Sequence, residues 1–220
     1  MMKTNIKSLL FAAMMMMGLA QLTNAQGFDP EYVKVTNERA RKIVDNMDIS
    51  DIQKADKVTD YIAKQYRNLS LIHDERDKQI DAAKEMYDGK KEEKKINKAE
   101  KKANKSMAKL HKKYLAQLSS ELTAEQVDQV KDGMTYGVAP NTYKVYQEML
   151  PDLTQEQKDK IWNWLAEARE HAMDAGSSHA KHAWFGKYKG KITNYLSDLG
   201  YDLKQAEKDM FERQKAANNQ

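Results

Sequence analysis

The stretch that decides the fold is IQKADKVTDYIAKQYRNLSLIHDERDKQIDAAKEMYDGKKEEKKINKAEKKANKSMAKLHKKYLAQLS, residues 52–119. Ile62, Leu69, Ile72, Ile80 and Ala83 recur at helical spacings and make one apolar stripe. Ile96, Ala99, Ala103, Met107, Leu110, Tyr114 and Leu118 make a second. Between the two stripes, Asp88-Gly89 is the turn signal. A single helix through that point would carry a glycine at a cost of about 1 kcal/mol with nothing gained. The spacing therefore predicts an antiparallel helical hairpin, each arm on the order of 40 Å long, with a polar tip.

Outward from the hairpin the punctuation stays helical. Upstream, Pro30 followed by Tyr32-Val33 and Val35 through Ile43-Val44 predicts a first helix at about 31–47, with a break over Asp48–Asp51. Downstream, Leu122-Thr123-Ala124-Glu125-Gln126 and Leu153-Thr154-Gln155-Glu156-Gln157 share the pattern Leu-Thr-x-Glu-Gln. In each the threonine is placed to cap a helix and the glutamine three residues on to return a bond. They predict helices at about 124–134 and 155–174, and in the first copy Leu122 is also placed to staple onto Val127. Gly133 to Pro140 reads as a loop, followed by a short helix around Thr142–Leu150 that Pro151 stops. Gly176-Ser177-Ser178 ends the second of these helices and caps the next, at roughly 179–198, in which Gly186 and Gly190 are placed to admit a close neighbour. A last helix, Leu203–Arg213, leads into a polar tail expected to fray over 216–220.

Composition agrees with an all-α class. There are 3 prolines, 9 glycines and 32% charged residues in 220, and no alternating β-branched run. Residues 1–25 read as a cleaved secretory leader, with Lys3 and Lys7, an apolar run from Ser8 to Ala20, and Thr23-Asn24-Ala25 before Gln26. The expected location is periplasmic or secreted after cleavage near Ala25-Gln26. The absence of cysteine excludes both disulfide staples and a lipid anchor at the cleavage point. The remainder, 26–220, reads as one all-α domain, with the hairpin portion over 26–120 and a helical body over 121–215. No stable membrane insertion is expected, because the one apolar run is too short to span.

Charge is unevenly spread. Eleven lysines (90, 91, 94, 95, 98, 101, 102, 105, 109, 112 and 113) stand against Glu92, Glu93 and Glu100, a local net of +8 in a chain of net +4. This basic arm is either the solvated face of a long helix or a contact for an anionic partner. Export argues against nucleic acid as that partner.

Two resemblances follow from particular strings. The Leu-Thr-x-x-Gln pair resembles the Spy and CpxP group of periplasmic proteins, all-helical binders of unfolded clients. The strings Glu125–Gly137, Ala168–Ser178 and Lys181–Gly190, with a looser match over Asp60–Asp77, resemble an exported bacterial family catalogued as domain of unknown function 3826. That resemblance carries no assigned activity. It implies export and an association with polysaccharide use in Gram-negative bacteria.

The densest polar and aromatic cluster is Arg169 to Tyr188. On a helix Glu170 aligns with Asp174, and His171 with Asp174; His179 and His182 align on the helix that follows. His171, Asp174, His179 and His182 would then all lie near the 176–178 turn. His171, Asp174 and His182 are the candidate acid–base groups, and no metal-ligand spacing or cofactor motif is present. Tyr136, Tyr143, Tyr146, Trp162, Trp164, Trp184 and Tyr188 either fill a core of large rings or line a groove that stacks on sugars. The candidate ligand-binding set is Tyr136, Arg169, Glu170, His171, Asp174, His182, Trp184, Lys187 and Tyr188. His73, with Asp74 and Asp77, and His111 read as solvent-facing.

Three functions fit these features. The first is an exported, non-catalytic binding or accessory protein that engages a glycan or envelope protein. The second is a Spy-like chaperone, and the third a saccharide-active enzyme using His171, Asp174 and His182. The exposed stripe of a long hairpin leaves a homodimer open.

Overall fold

The computed structural model describes residues 27–218, so the leader predicted over 1–25 lies outside the described residues. Within them the chain is all-α. The helices are α1 (Pro30–Val44), α2 (Ile52–Met86), α3 (Gly89–Ser119), α4 (Ala124–Met134), α5 (Val138–Met149), α6 (Gln155–Met173), α7 (Ser178–Asp198) and α8 (Leu203–Asn218). Of the described residues, those up to Val35 separate as one unit and those from Thr36 as another, with α1 beginning in the first. In that first unit Asp29 Oδ1 accepts the N–H of Glu31 at 2.7 Å, and the rings of Phe28 and Tyr32 lie 6.0 Å apart. The rest of α1 and every later helix belong to the second unit.

α1 ends three residues earlier than predicted. Asn46 Nδ2 donates to the carbonyl of Lys42, one of the last carbonyls of the helix, and a turn at 45–46 leads into irregular chain up to Asp51. Asp51 then caps α2 by accepting from the N–H groups of Gln53 and Lys54. α2 stops at Met86 and α3 starts at Gly89, whose φ of +54° is a backbone setting that favours glycine. The two helices pack side by side in opposite senses. Lys57 pairs with Glu121 near one end, and Leu71 and Ile72 lie beside Ala99 and Ala103 further along.

Two hydrophobic clusters hold the body together. The first takes Ala40, Ile43 and Val44 from α1, Val58 and Ile62 from α2, Tyr114 and Leu118 from α3, and Val127, Val130 and Met134 from α4. It also takes Met173, the last residue of α6. The second is built from α5, α6 and α7 around Tyr146, Ile161, Leu165, Phe185, Ile192 and Leu196. The division between the clusters falls between Met134 and Ala139, so α4 packs with the hairpin helices. Gly133 marks the tightest approach there: a Cβ on it would sit 2.8 Å from Ile43 Cγ1.

Three local expectations are corrected. α5 begins at Val138, four residues before the expected start. Pro140 falls in its first turn, where the missing N–H would have had no partner within the helix. The chain reverses just ahead of it through Tyr136 (φ +60°) and Gly137 (φ +65°). Gly186 and Gly190 do not admit a neighbouring element: both are exposed, and a Cβ at either would meet nothing within 4 Å. The last helix does not stop at Arg213 but continues to Asn218.

Both capping boxes form. Thr123 and Thr154 accept from the N–H groups of Gln126 and Gln157, and those glutamines accept from the threonine N–H groups in return. Leu122 and Val127 are both buried in the first cluster. Thr123→Ala and Thr154→Ala are each expected to lower unfolding free energy by about 1 kcal/mol. Urea denaturation of the two single variants and the double variant checks this, and the effects should add, because the boxes sit in different clusters.

Candidate functional site

A cleft of about 680 Å³ opens where the end of α6 meets the middle of α2 and α3. α2 contributes His73, Asp74, Arg76 and Asp77, and α3 contributes Asn104, Met107 and Ala108. His171 and Asp174 come from the end of α6, Gly176 and Ser177 from the turn, and Ala180 and Trp184 from α7. Ser177 Oγ caps α7 by accepting from the N–H of Ala180 at 3.1 Å, which satisfies one of the free N–H groups at the start of the helix that carries Trp184.

His73 anchors the floor. It is buried, contrary to the solvent-facing expectation, and its Nε2–H donates to the backbone carbonyl of Asp174 at 2.7 Å. A carbonyl can only accept, so Nε2 carries the proton and Nδ1 is the acceptor, receiving Arg76 Nη1 at 3.0 Å. Arg76 also reaches Asp77 Oδ1 through Nε and Nη2, each at 2.7 Å. Gly176 lies flat on the imidazole, where a Cβ would meet His73 Cγ at 2.9 Å.

His111 is likewise not solvent-facing. Its Nε2 lies 3.3 Å from Glu170 Oε2 and its Nδ1 2.9 Å from Asp174 Oδ2. The Asp174 contact is an ion-pair distance without hydrogen-bond alignment, since Nδ1 makes no hydrogen bond; Asp174 Oδ1, which is not the contacting oxygen, also lacks one. Asp174, then Glu170, hold the imidazolium against the opposing effect of burial and raise it to about 9. Burial alone would raise Glu170, but His111 and Lys131 outweigh it and bring the carboxyl down to about 2. Lys131 Nζ donates to Glu170 Oε1 at 2.6 Å.

The residues anticipated from the sequence are thus divided. His171, Asp174 and Trp184 line the cleft, with the ring of His171 stacked on Trp184 at 4.3 Å and 16°. Lys187 lies over the Trp184 ring at 5.1 Å, and Tyr188 is buried 6.3 Å from His171. Glu170 stands behind the cleft in the charge network. Arg169 does not reach the cleft. It is buried, with Nη1 on Asp132 Oδ1 at 2.8 Å, Nη2 on Asp128 Oδ1 at 2.6 Å and Nε unpartnered. Burial pushes Asp132 above its ordinary value in spite of Arg169. Tyr136 and His182 stack on each other at 5.7 Å, outside the lining, and His179 is exposed.

The seven aromatic residues do not converge on one groove. Tyr143 pairs with Trp162 and Trp164 with Tyr195, while Tyr146 and Tyr188 are core. Lys181 is a residue that sequence reasoning misses. It is buried, donates to the Met134 carbonyl at 2.8 Å, and is pushed down to about 8 by burial. A lysine carries no signal of burial in itself, and the one hint is its i,i+4 spacing to the core residue Phe185. Among the described residues no group of three or more His, Asp or Glu side chains is arranged to hold a metal ion, and no helix is long and apolar enough to cross a membrane.

Two outcomes test this geometry. The His111 contribution to stability is fully present below pH 6.5, the unfolded value, and is lost as pH rises through about 9. The Glu170 contribution is present above 4.5 and lost as pH falls through about 2. Lys181 works in the opposite sense above pH 8, because there the unfolded chain binds the extra proton. The His111 value is therefore best read directly, from its ring resonances in an NMR titration. Gly176→Ala should displace the His73 ring and lower stability by about 1–3 kcal/mol, with a shift of the His73 resonances larger than that of any other histidine.

Comparison with the curated proteins finds no match for this chain. The family model described as "Protein of unknown function (DUF3826)" matches residues 33–216, which take in both hydrophobic clusters and every residue of the cleft. The chain therefore belongs to that family.

Proposed function

We propose that the protein is an exported, non-catalytic binding protein that takes a short glycan segment in the cleft between α2, α3 and the α6–α7 turn. The observation that carries this reading is the make-up of the cleft. The lining includes the flat His171–Trp184 stack and also Asp74, Arg76, Asp77 and Asn104. Flat rings bury the C–H faces of a sugar, and carboxylate, guanidinium and amide groups suit its hydroxyls. The volume is that of a pocket for a small organic ligand.

The polar groups are also held before any ligand arrives. Arg76 is fixed by Asp77 and His73, and Asp74 accepts from Ser70 Oγ at 3.1 Å. Such pre-organisation lowers the ordering cost of binding. Export is supported by the leader-like first 25 residues.

The other two readings have less support. Of the three candidate acid–base groups only His171 and Asp174 line the cleft, and Asp174 is paired with His111. His182 lies outside the lining. A client-holding chaperone would need a broad exposed apolar patch. The exposed large apolar side chains (Ile52, Leu71, Met86, Tyr136, Val145, Leu199 and Phe211) are scattered over several elements.

The test is a panel of neutral and acidic oligosaccharides followed by thermal shift. A saccharide present at a hundred times its Kd is expected to stabilise by about 2.7 kcal/mol, a rise of several degrees. Trp184→Ala should weaken binding by at least about tenfold, a loss of roughly 1.4 kcal/mol, whereas Trp162→Phe should leave it unchanged. A panel without any shift, or binding indifferent to Trp184→Ala, would refute the reading.

A further inference from the structure

We propose that the outer face of α3 is a docking ribbon for a linear anionic polysaccharide, separate from the cleft. On a helix of 3.6 residues per turn, all eleven lysines from Lys90 to Lys113 fall within a sector of roughly 140°. Over that span only Ala108 shares the sector. Glu92, Glu93 and Glu100 fall outside it, and the packed stripe of Ala99, Ala103 and Tyr114 lies on the far side. The structure agrees with this wheel: every one of the eleven lysines is exposed. Among the described residues none of them lies within ion-pair distance of a carboxylate. The ribbon is about 35 Å long.

An ordinary solvated helix face mixes Glu and Lys at i,i+4, because such pairs stabilise it and like-charge pairs do the reverse. α3 instead places lysine opposite lysine at 90–94, 91–95, 94–98, 98–102, 101–105, 105–109 and 109–113. The helix carries this repulsion with no acid inside the sector to relieve it. A partner that brings negative charge along the whole length would relieve all of it at once.

The chemistry of the ribbon narrows that partner. It contains no arginine, and among the described residues its lysines lie over one ring, that of Tyr87, with Lys91 and Lys95 at 4.4 and 5.4 Å. Nucleic-acid surfaces interleave arginine and stacking rings. Membrane-surface helices add apolar side chains that enter the lipid, and the sector offers none beyond Ala108. Lysine is a point charge with tolerant geometry, suited to a repeating acidic polymer that binds in many registers.

The experiment is retention of the purified protein on immobilised polygalacturonate at rising salt. Retention is expected at low salt, with the logarithm of affinity falling linearly with the logarithm of salt concentration. Affinity should rise with oligogalacturonide length until the oligomer spans the ribbon. The quadruple variant Lys98→Gln, Lys101→Gln, Lys105→Gln, Lys109→Gln should bind on the order of tenfold more weakly, while its thermal midpoint is unchanged or higher because Lys–Lys repulsion is relieved. Trp184→Ala should keep this retention, which separates failure of the ribbon from failure of the cleft. No retention at low salt, or retention unaffected by the quadruple variant, would overturn the proposal. So would equal or tighter binding to phosphatidylcholine–phosphatidylglycerol vesicles or to duplex DNA.

Discussion

The arrangement hinges on a polar clamp at the end of α6. Asp174 receives a hydrogen bond from His73 on α2 through its backbone carbonyl, and its carboxylate meets His111 on α3. One residue thereby ties both long helices to the C-terminal bundle. Glu170, one turn earlier, ties His111 to Lys131 on α4 as well. Beneath the clamp, Met173 inserts into the first hydrophobic cluster while Ala168 and Ala172 belong to the second. The last turn of α6 is therefore where the two cores are joined.

The clamp depends on chemistry that is costly when incomplete. A buried imidazole with an unpaired nitrogen would lose the free energy of its hydration. His73 avoids this with one donated and one accepted hydrogen bond, and the flat approach of Gly176 leaves room for the ring. His111 is protected differently, by two carboxylates that favour its charged form. Two histidines that meet the same residue, Asp174, are thus satisfied in different ways, His73 by hydrogen bonds and His111 by opposite charge.

The same helix pair carries two unlike surfaces. Toward α6 and α7, α2 and α3 present the mixed lining of the cleft, with acids, one arginine, an amide and a methionine. Outward, α3 presents almost pure lysine. A helix whose outer face opposes its own stability is a local conflict of the kind that natural sequences keep where function requires it. The two faces meet at Ala108, which lines the cleft and sits at the edge of the lysine sector.

The sequence by itself determined the class and most of the element boundaries. The apolar stripes of α2 and α3, the Asp88-Gly89 break and the two Leu-Thr-x-Glu-Gln caps are local features, governed by helical period and by backbone N–H groups within one turn. The start of α5 is legible only in part, because proline reads as a breaker unless it is known to occupy the first turn. What only tertiary structure decided is which polar residues face one another. His73 and Asp174 are a hundred and one residues apart, and no periodicity links them. Arg169 reads as a ligand-facing residue because arginine is usually wet, yet Asp128 and Asp132 on α4 make its burial tolerable. Packing likewise disperses the aromatic rings into separate pairs. Helices are written in near-neighbour chemistry, whereas a cleft is made by distant side chains whose partners are set only when the helices dock.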